Sequence, residues 1–289
     1  MHRILLLVCA LALAWFADAR AEPATLLSTP AANGGRLDVV IGGCDAEACE
    51  LMVELRDEAG AVARHATGWA LPNLAPVRDD SAAAREILVS AGAPAAAWTF
   101  GEEASWTVIA ARHVRLAGDG EGLLLMHMGG FEHVKRSFQL VVIDRGGVRN
   151  LWTGGDGPGP QVSWMEIDTR SGADDLVFFR AFLHPDPVEL ETLTASRLSG
   201  GAGGVTEVPA RDLWAVVAGG YADAAAARQA RDARNGAPFL ALAPDMLARR
   251  SDAPVVLAAV TAFEPRARAW RREARRNGFP RARLTRAGF

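Results

Sequence analysis

One short segment of the sequence places an acid, a base and two cations within five positions. In "GGFEHVKRSF", Glu132 is followed by His133, Lys135 and Arg136, and His127 lies six residues before His133. These residue types could perform general acid–base catalysis. In a strand, however, Glu132 and His133 point to opposite faces, which separates the acid from the base. The pattern favours a polar strand start after a Gly-Gly turn.

Other chemical motifs do not occur in the sequence. It has no Gly-x-Ser-x-Gly elbow, no phosphate-binding loop and no metal-binding pair of histidines with a glutamate. A metal site at His127 and His133 would need a third ligand, which the spacing of the other histidines and carboxylates does not supply. We therefore assign no catalytic residue and expect neither a metal nor another cofactor.

The first 21 residues predict export. His2 and Arg3 precede the apolar run "ILLLVCALALAWF", and the exit "ADARA" ends in the small residues that signal peptidases prefer. The run is too short to span a membrane as a helix, and no later stretch is long and apolar enough. We expect a periplasmic protein that has no transmembrane segment after cleavage and begins near Glu22.

Two cysteines remain after cleavage, Cys44 and Cys49, and they lie between two apolar, strand-like runs. Because export leads to an oxidising compartment, we expect a disulfide across the turn of a hairpin. A metal pair or a redox switch would lack the usual two-residue spacing and further ligands. The disulfide is predicted to be a local staple worth about 2 kcal/mol.

Charge divides the mature chain into two parts. The full chain has a net charge of -3, yet from Val205 onward 15 arginines oppose 8 acidic residues. The preceding part is strongly acidic, so we predict two domains. The glycine-rich stretch before Pro209 marks the boundary: a β-rich domain over 22–204, a linker over 205–212 and a C-terminal domain over 213–289.

The acidic part is predicted to be a domain of antiparallel strands. Short alternating or apolar runs are separated by glycine and aspartate turns, as in a β-sandwich or a barrel-like meander. The segment "DDSAAAREILVSAG", residues 79–92, is expected to form a short helix. Its tryptophans are interpreted as core residues rather than sugar platforms. Loop 152–161, rich in glycine and proline, is a candidate binding loop.

The basic part contains an approximate internal repeat. An offset of 42 residues relates Tyr221 to Phe263, Asn235 to Asn277 and Pro238 to Pro280. Each copy predicts a strand, a helix, an Asn-Gly stop and a second strand. In the second helix, apolar residues recur on one stripe that would face a sheet. Two such units predict a four-stranded sheet with two helices on one face, and hence an α+β chain overall.

This C-terminal part resembles a SPOR (sporulation-related repeat) domain. The segment "VVAGGY", from Val216 to Tyr221, occupies the place of the family's Val-x-x-Gly-Ser-Phe-like sequence, and an alanine-rich helix follows. The resemblance covers Leu213 to about Arg286. It implies binding to peptidoglycan glycan strands, especially those stripped of stem peptides at division sites, through the sheet face that the helices leave open.

The resemblance also implies which residues contact glycan. The family's contacting Gln and Ser correspond to Val217 and Gly220, which lack those polar groups. Trp214 at the start of the strand and Tyr221 at its end are added as tentative stacking residues, with core packing as the alternative. Arginines cover most of the second helix outside its apolar stripe, which predicts either a solvated face or a surface for an anionic partner, at Arg268, Arg271, Arg272 and Arg275.

The sequence thus predicts a cell-envelope protein that binds peptidoglycan and acts by localisation, not catalysis. A first alternative is a cell-wall hydrolase with Glu132 and His133, joined by His184 or Asp186. A second is a periplasmic interaction module whose acidic domain binds an envelope protein. Nucleic acid is not an expected partner, since the chain is exported and carries no nucleic-acid motif.

Overall fold

The structure is a computed structural model, and it describes most of the chain beyond the N-terminal segment. The described residues are 24–31, 34–45, 48–72, 77–78, 88–91, 96–102, 105–118, 120–129, 135–144, 147–183, 191–232, 240–242 and 254–287. The predicted signal peptide, residues 1–21, lies outside them. No helix among these residues is long and apolar enough to cross a membrane.

The described residues form nineteen strands and two helices, so the chain is predominantly β with a small helical part, as expected for a β-rich α+β protein. The strands before residue 210 are β1 (Ala24–Pro30), β2 (Arg36–Gly42), β3 (Ala48–Arg56), β4 (Val62–Pro72), β5 (Val77–Arg78), β6 (Leu88–Ala91), β7 (Ala96–Glu102), β8 (Ser105–Leu116), β9 (Gly120–Gly129), β10 (Lys135–Asp144), β11 (Gly147–Gly155), β12 (Gln161–Ser171), β13 (Ala173–Phe182), β14 (Thr192–Gly201) and β15 (Gly204–Pro209). The elements that follow are β16 (Leu213–Gly220), α1 (Ala224–Asp232), β17 (Leu240–Leu242), β18 (Val255–Thr261), α2 (Glu264–Arg276) and β19 (Arg283–Ala287).

These strands form four sheets. Sheet A has the order β1-β2-β3-β4, and sheet B has the order β11-β10-β9-β8-β7-β5. Sheet C has the order β15-β14-β13-β12-β6, and sheet D has the order β17-β18-β16-β19. Neighbouring strands are antiparallel except at the edge of sheet C, where β6 pairs in parallel with β12.

The four sheets are stacked in the order A, B, C, D, and the helices cover the outer side of sheet D. One apolar core lies between each pair of neighbours: the A/B core, the B/C core, the C/D core and the core under the helices. Because side chains alternate along a strand, sheets B, C and D each contribute to two of these cores. Sheets B and C are therefore buried on both faces.

Strand β9 shows how the sequence produces this arrangement. In "GLLLMHM", Leu123 and Leu125 belong to the A/B core, whereas Leu124 and Met126 belong to the B/C core. A strand with one solvated face would alternate apolar and polar residues, but a strand buried on both faces reads as a continuous apolar run.

The predicted staple at the start of the chain is confirmed. A disulfide joins Cys44 to Cys49 across the turn between β2 and β3, five residues apart in sequence. The Cys49 side chain is buried in the A/B core, and Cys44 packs against the same core. The two cysteines therefore fix the first hairpin and contribute apolar surface.

Sheet D and the two helices have the predicted β-α-β-β-α-β order. Asp223 Oδ1 accepts a hydrogen bond from Ala226 N (2.8 Å) at the start of α1, as an N-cap residue does. Helix α2 has proline in its first turn and ends at Arg276, with Asn277 as its C-cap, and Gly278 follows with φ 96°. The second Asn-Gly stop thus lies where the repeat predicts it, while Asn235 lies outside the described residues.

Two expectations about the connections differ from the structure. The predicted linker over 205–212 is largely strand, because β15 pairs with β14 at the edge of sheet C. In the predicted helix over 79–92, Leu88–Ala91 forms β6 instead, since its residues add to the exposed edge of β12. Residues 79–87 lie outside the described part. In both segments, pairing with a neighbouring strand decides the outcome, and local composition does not.

The B/C core gives a direct test of the stack. Phe138 on β10 is fully buried and meets Phe178 on β13 edge to face, with ring centroids 5.6 Å apart. We expect Phe138→Ala to lower the free energy of unfolding by about 3–5 kcal/mol in urea titrations. The matched control Val208→Ala, at an exposed edge position, should change it by less than about 1 kcal/mol. Equal effects of the two substitutions would contradict the two-sided burial of sheet B.

Candidate binding surfaces

The four residues predicted to contact glycan do not share one exposed surface. Val217 faces sheet C and is 2 % exposed. Trp214 and Tyr221 are half-buried and pack on the opposite side of the sheet, against the core under the helices. Gly220 is exposed at the end of β16. The core-packing alternative for Trp214 and Tyr221 agrees with these positions.

Sheet C covers the face of sheet D that the helices leave open. Phe179 and Leu193 of sheet C pack with Leu213, Val217 and Leu257 of sheet D in the C/D core. A ligand on this face would have to displace sheet C and expose the apolar surface of both sheets, at about 25 cal/mol for each Å². In the assembled protein this face is closed.

A buried glutamate side chain on sheet C reaches across the C/D core and forms hydrogen bonds with the end of β18. Glu166 on β12 is fully buried, and its Oε2 accepts hydrogen bonds from Thr261 Oγ1 (2.8 Å) and Ala262 N (2.8 Å). Thr261 Oγ1 in turn accepts a bond from Phe263 N (3.1 Å), at the start of α2. Glu166 therefore ties sheet C to the junction of β18 and α2. Burial raises the pKa of Glu166 to about 7, against the lowering effect of these hydrogen bonds.

A second polar contact joins sheet C to the helices. Arg228 of α1 and Glu191, just before β14, are both almost fully buried, and Arg228 NH2 lies 3.7 Å from Glu191 Oε1. Removing one partner would leave the other charge buried, which typically costs several kcal/mol. One contact starts from β12 and the other from the residue before β14, so they restrain sheet D and its helices at two separate points.

The predicted anion-binding arginines lie along one side of α2. Arg272 is exposed, and Arg268 is exposed and paired with Glu264 one turn earlier. Arg275 is exposed but donates to the backbone oxygen of Ala282 (3.1 Å), while Arg271 is half-buried. We call these four residues the arginine surface. Arg281 and Arg283 are also exposed and follow on the turn and on β19.

Two tryptophan rings near α2 are each covered on one face by an arginine side chain. Arg286 lies over the ring of Trp214 at 3.8 Å from its centroid, and Arg266 lies over Trp270 at 4.7 Å. Such contacts stabilise the guanidinium group through the ring quadrupole. Trp214 therefore does not present a bare stacking face in this arrangement.

The alternative catalytic residues are not supported by any described geometry. Glu132, His133, His184 and Asp186 lie outside the described residues. Among those that the structure describes, no group of three His, Cys, Asp or Glu side chains could hold a metal ion. His127, the other histidine considered with His133, faces sheet A beside Trp69.

Lys135 and Arg136 hold the candidate binding loop in place. Lys135 Nζ donates to the backbone oxygens of Gly157 (2.9 Å) and Gly159 (3.2 Å). Asp156 accepts from the backbone nitrogen of Arg136 (2.9 Å) and from both the nitrogen and the hydroxyl of Ser163 (2.6 Å each). Of the predicted loop over 152–161, residues 152–155 belong to β11 and Gln161 begins β12, so the loop itself is 156–160. The only lysine of the chain organises this loop, a structural use that its position in the sequence did not reveal.

Three further buried charged residues are not identifiable as contacts from local sequence patterns: Glu166, Glu191 and Arg228. The signal for Glu166 is its place in "VSWMEI", where a carboxylate interrupts a largely apolar run. Such a residue in a buried strand requires a partner, because an unpaired buried charge is costly. Its partner is 95 residues away in sequence, and no local pattern identifies it.

Comparison with other proteins adds no assignment. No protein-family model matches this chain, and no curated protein or solved structure shows significant similarity to it. Arguments about its function therefore rest on its own residues.

The raised pKa of Glu166 predicts a pH-dependent stability. Between its ordinary pKa of 4.5 and about 7, the folded protein binds this proton more tightly than the unfolded chain does. The contribution of Glu166 to the free energy of unfolding therefore falls as the pH rises through this window, by up to about 3 kcal/mol.

We expect Glu166→Gln to remove this contribution, since the amide does not titrate and keeps an oxygen acceptor. Relative to the wild type, the variant should gain stability between pH 4.5 and 7 in urea titrations. The control Glu264→Gln, at a partly exposed position, should follow the wild-type pH profile. Identical pH profiles for Glu166→Gln and the wild type would contradict the burial of this carboxyl.

Proposed function

We propose that the protein is an exported, non-catalytic binding protein of the cell envelope with a SPOR-like C-terminal unit. In this proposal it localises to peptidoglycan by holding anionic groups on the arginine surface. The observation that carries the proposal is the combination of a closed sheet face and an exposed row of arginines on α2. It departs from the glycan contact that the resemblance implies.

The charges around α2 support an anionic partner. From Glu264 onward the chain carries nine arginines and two glutamates. Guanidinium groups bind carboxylates and phosphates with paired, charge-assisted hydrogen bonds, and clustered arginines attract anions over a longer range. Stem peptides give peptidoglycan many carboxylates, so they provide a ligand for the arginine surface. Binding them requires no contact with the face of sheet D that packs on sheet C.

The fold around the arginine surface supports a rigid platform. Helix α2 packs on sheet D through Ala267 and Ala274, and sheet D is docked on sheet C by Glu166 and the C/D core. Rigid placement lowers the entropy lost when a ligand binds. The cysteine pair Cys44–Cys49 is compatible with an oxidising compartment, as export predicts.

Sedimentation with purified sacculi tests the proposal. We expect the mature protein to bind sacculi at low salt and to be released at high salt, because exposed ion pairs are screened. The double variant Arg268→Gln/Arg272→Gln should bind about tenfold more weakly, a loss of about 1.4 kcal/mol. The matched control Arg115→Gln/Arg211→Gln, exposed arginines outside α2, should bind like the wild type.

Amidase treatment of the sacculi separates the two modes of binding. Removal of stem peptides takes away their carboxylates, so it should reduce binding to the arginine surface. Salt-resistant binding that increases after stripping would contradict the proposal. It would indicate that bare glycan is recognised by the face of sheet D that the helices do not cover.

A further inference from the structure

The A/B core changes from apolar to polar at one end. On three strands of sheet B, the side chains that face sheet A are apolar up to Ile109, Leu125 and Val141. The next residue on the same face of each strand is polar: Thr107, His127 and Gln139, respectively. On sheet A, Thr67 and Trp69 of β4 lie opposite, in contact with Gln139 and His127. We call these five residues the polar end: Thr67, Trp69, Thr107, His127 and Gln139.

Gln139 presents a buried hydrogen-bond acceptor in the polar end. Its side chain is 6 % exposed, and its Nε2 donates to the backbone oxygen of Thr67 (2.7 Å), which fixes the orientation of the amide. Its Oε1 has no hydrogen-bond partner within the described part of the chain. An unsatisfied buried acceptor costs about 1–3 kcal/mol, so a donor from a bound molecule would be stabilising there.

His127 and Trp69 add a ring surface and two further hydrogen-bonding atoms. Their ring centroids are 5.4 Å apart, and the planes are inclined by 33°. Burial lowers the pKa of His127, so the imidazole is neutral at neutral pH and offers one donor and one acceptor. Both side chains are only partly buried, which leaves them at the rim between the sheets.

The surroundings select a neutral ligand. The next residue on this face of β10 towards its start, beyond Ser137, is Lys135, and its ammonium group is engaged by the backbone oxygens of Gly157 and Gly159. On β4, His65 Nε2 is buried without a hydrogen-bond partner among the described residues, two positions before Thr67. The polar end therefore combines an unsatisfied buried amide oxygen with an aromatic face.

We propose that the polar end is a binding site for a small neutral polyol ring, a hexose or an N-acetylated amino sugar. A ring hydroxyl would donate to Gln139 Oε1, a second would bond to His127, and the C–H face of the ring would lie on Trp69. These contacts match the usual make-up of small-molecule sites, an apolar wall with a few convergent polar groups. The site is independent of the arginine surface, so either proposal can fail alone.

Saturation-transfer NMR on the mature protein tests this site with three probes: glucose, N-acetylglucosamine and the N-acetylglucosamine tetramer. We expect transfer to the ring protons of at least one probe, together with a shift of the His127 imidazole resonances. Trp69→Leu and Gln139→Met should each reduce the transfer at least fivefold. The matched control Trp152→Phe replaces a half-buried tryptophan at the B/C core and should leave the transfer unchanged.

Two results would overturn the inference. In the first, wild-type protein shows no transfer to any of the three probes and no shift of the His127 resonances. The acceptor on Gln139 would then be assigned to a bound water. The second is transfer that is equal in wild type, Trp69→Leu and Gln139→Met. The wild-type measurement remains decisive if either variant fails to fold, and a thermal unfolding curve of each variant identifies that case.

Discussion

The burial of sheets B and C on both faces is the constraint on which the rest of the molecule depends. The inner strands of these sheets carry apolar side chains in two directions, as in β9 and β13, so each sheet needs a layer on either side. Sheet A covers sheet B, and sheet D covers sheet C. Because the helices already cover the other face of sheet D, the four-stranded unit uses its open face for this packing. The surfaces left to a partner include the helix side with its arginines and the rims between the sheets.

Some polar groups inside the stack tie one layer to its neighbour. Glu166 binds the backbone and a hydroxyl of sheet D, and Gln139 binds the backbone of β4 in sheet A. Each of these bonds can form only in one register of the two sheets, whereas apolar contacts alone tolerate sliding. The free energy contributed by one carboxyl group is nevertheless small compared with that of burying a core of this size. Ionisation of Glu166 above pH 7 weakens the docking of sheet D but does not offset the burial of both apolar faces.

The sequence predicts local features of this fold better than its layers. The strands, the cysteine pair and the helix stop at Asn277 follow from patterns within a few residues. The stack does not, because an apolar run such as "GLLLM" in β9 indicates burial without saying which sheet lies on either side. The same limit applied to β16, where Val217 could be placed on the face away from the helices but its cover by sheet C could not be foreseen. The isolated polar residues Glu166 and Gln139 were the available signals, since each interrupts an apolar strand.

Hydroxyl-radical footprinting of the full mature chain, alone and bound to sacculi, tests the central claim that sheet C closes the open face of sheet D. We expect Leu213 and Leu257 to be as strongly protected as Leu125 of the A/B core in both states, whereas the exposed Val62 and Val208 should react readily. Binding to sacculi should add protection only near α2, at the partly buried Trp270. Ready oxidation of Leu213 and Leu257 in the free protein, or their protection only on binding sacculi, would contradict the account and return the glycan contact to the open sheet face.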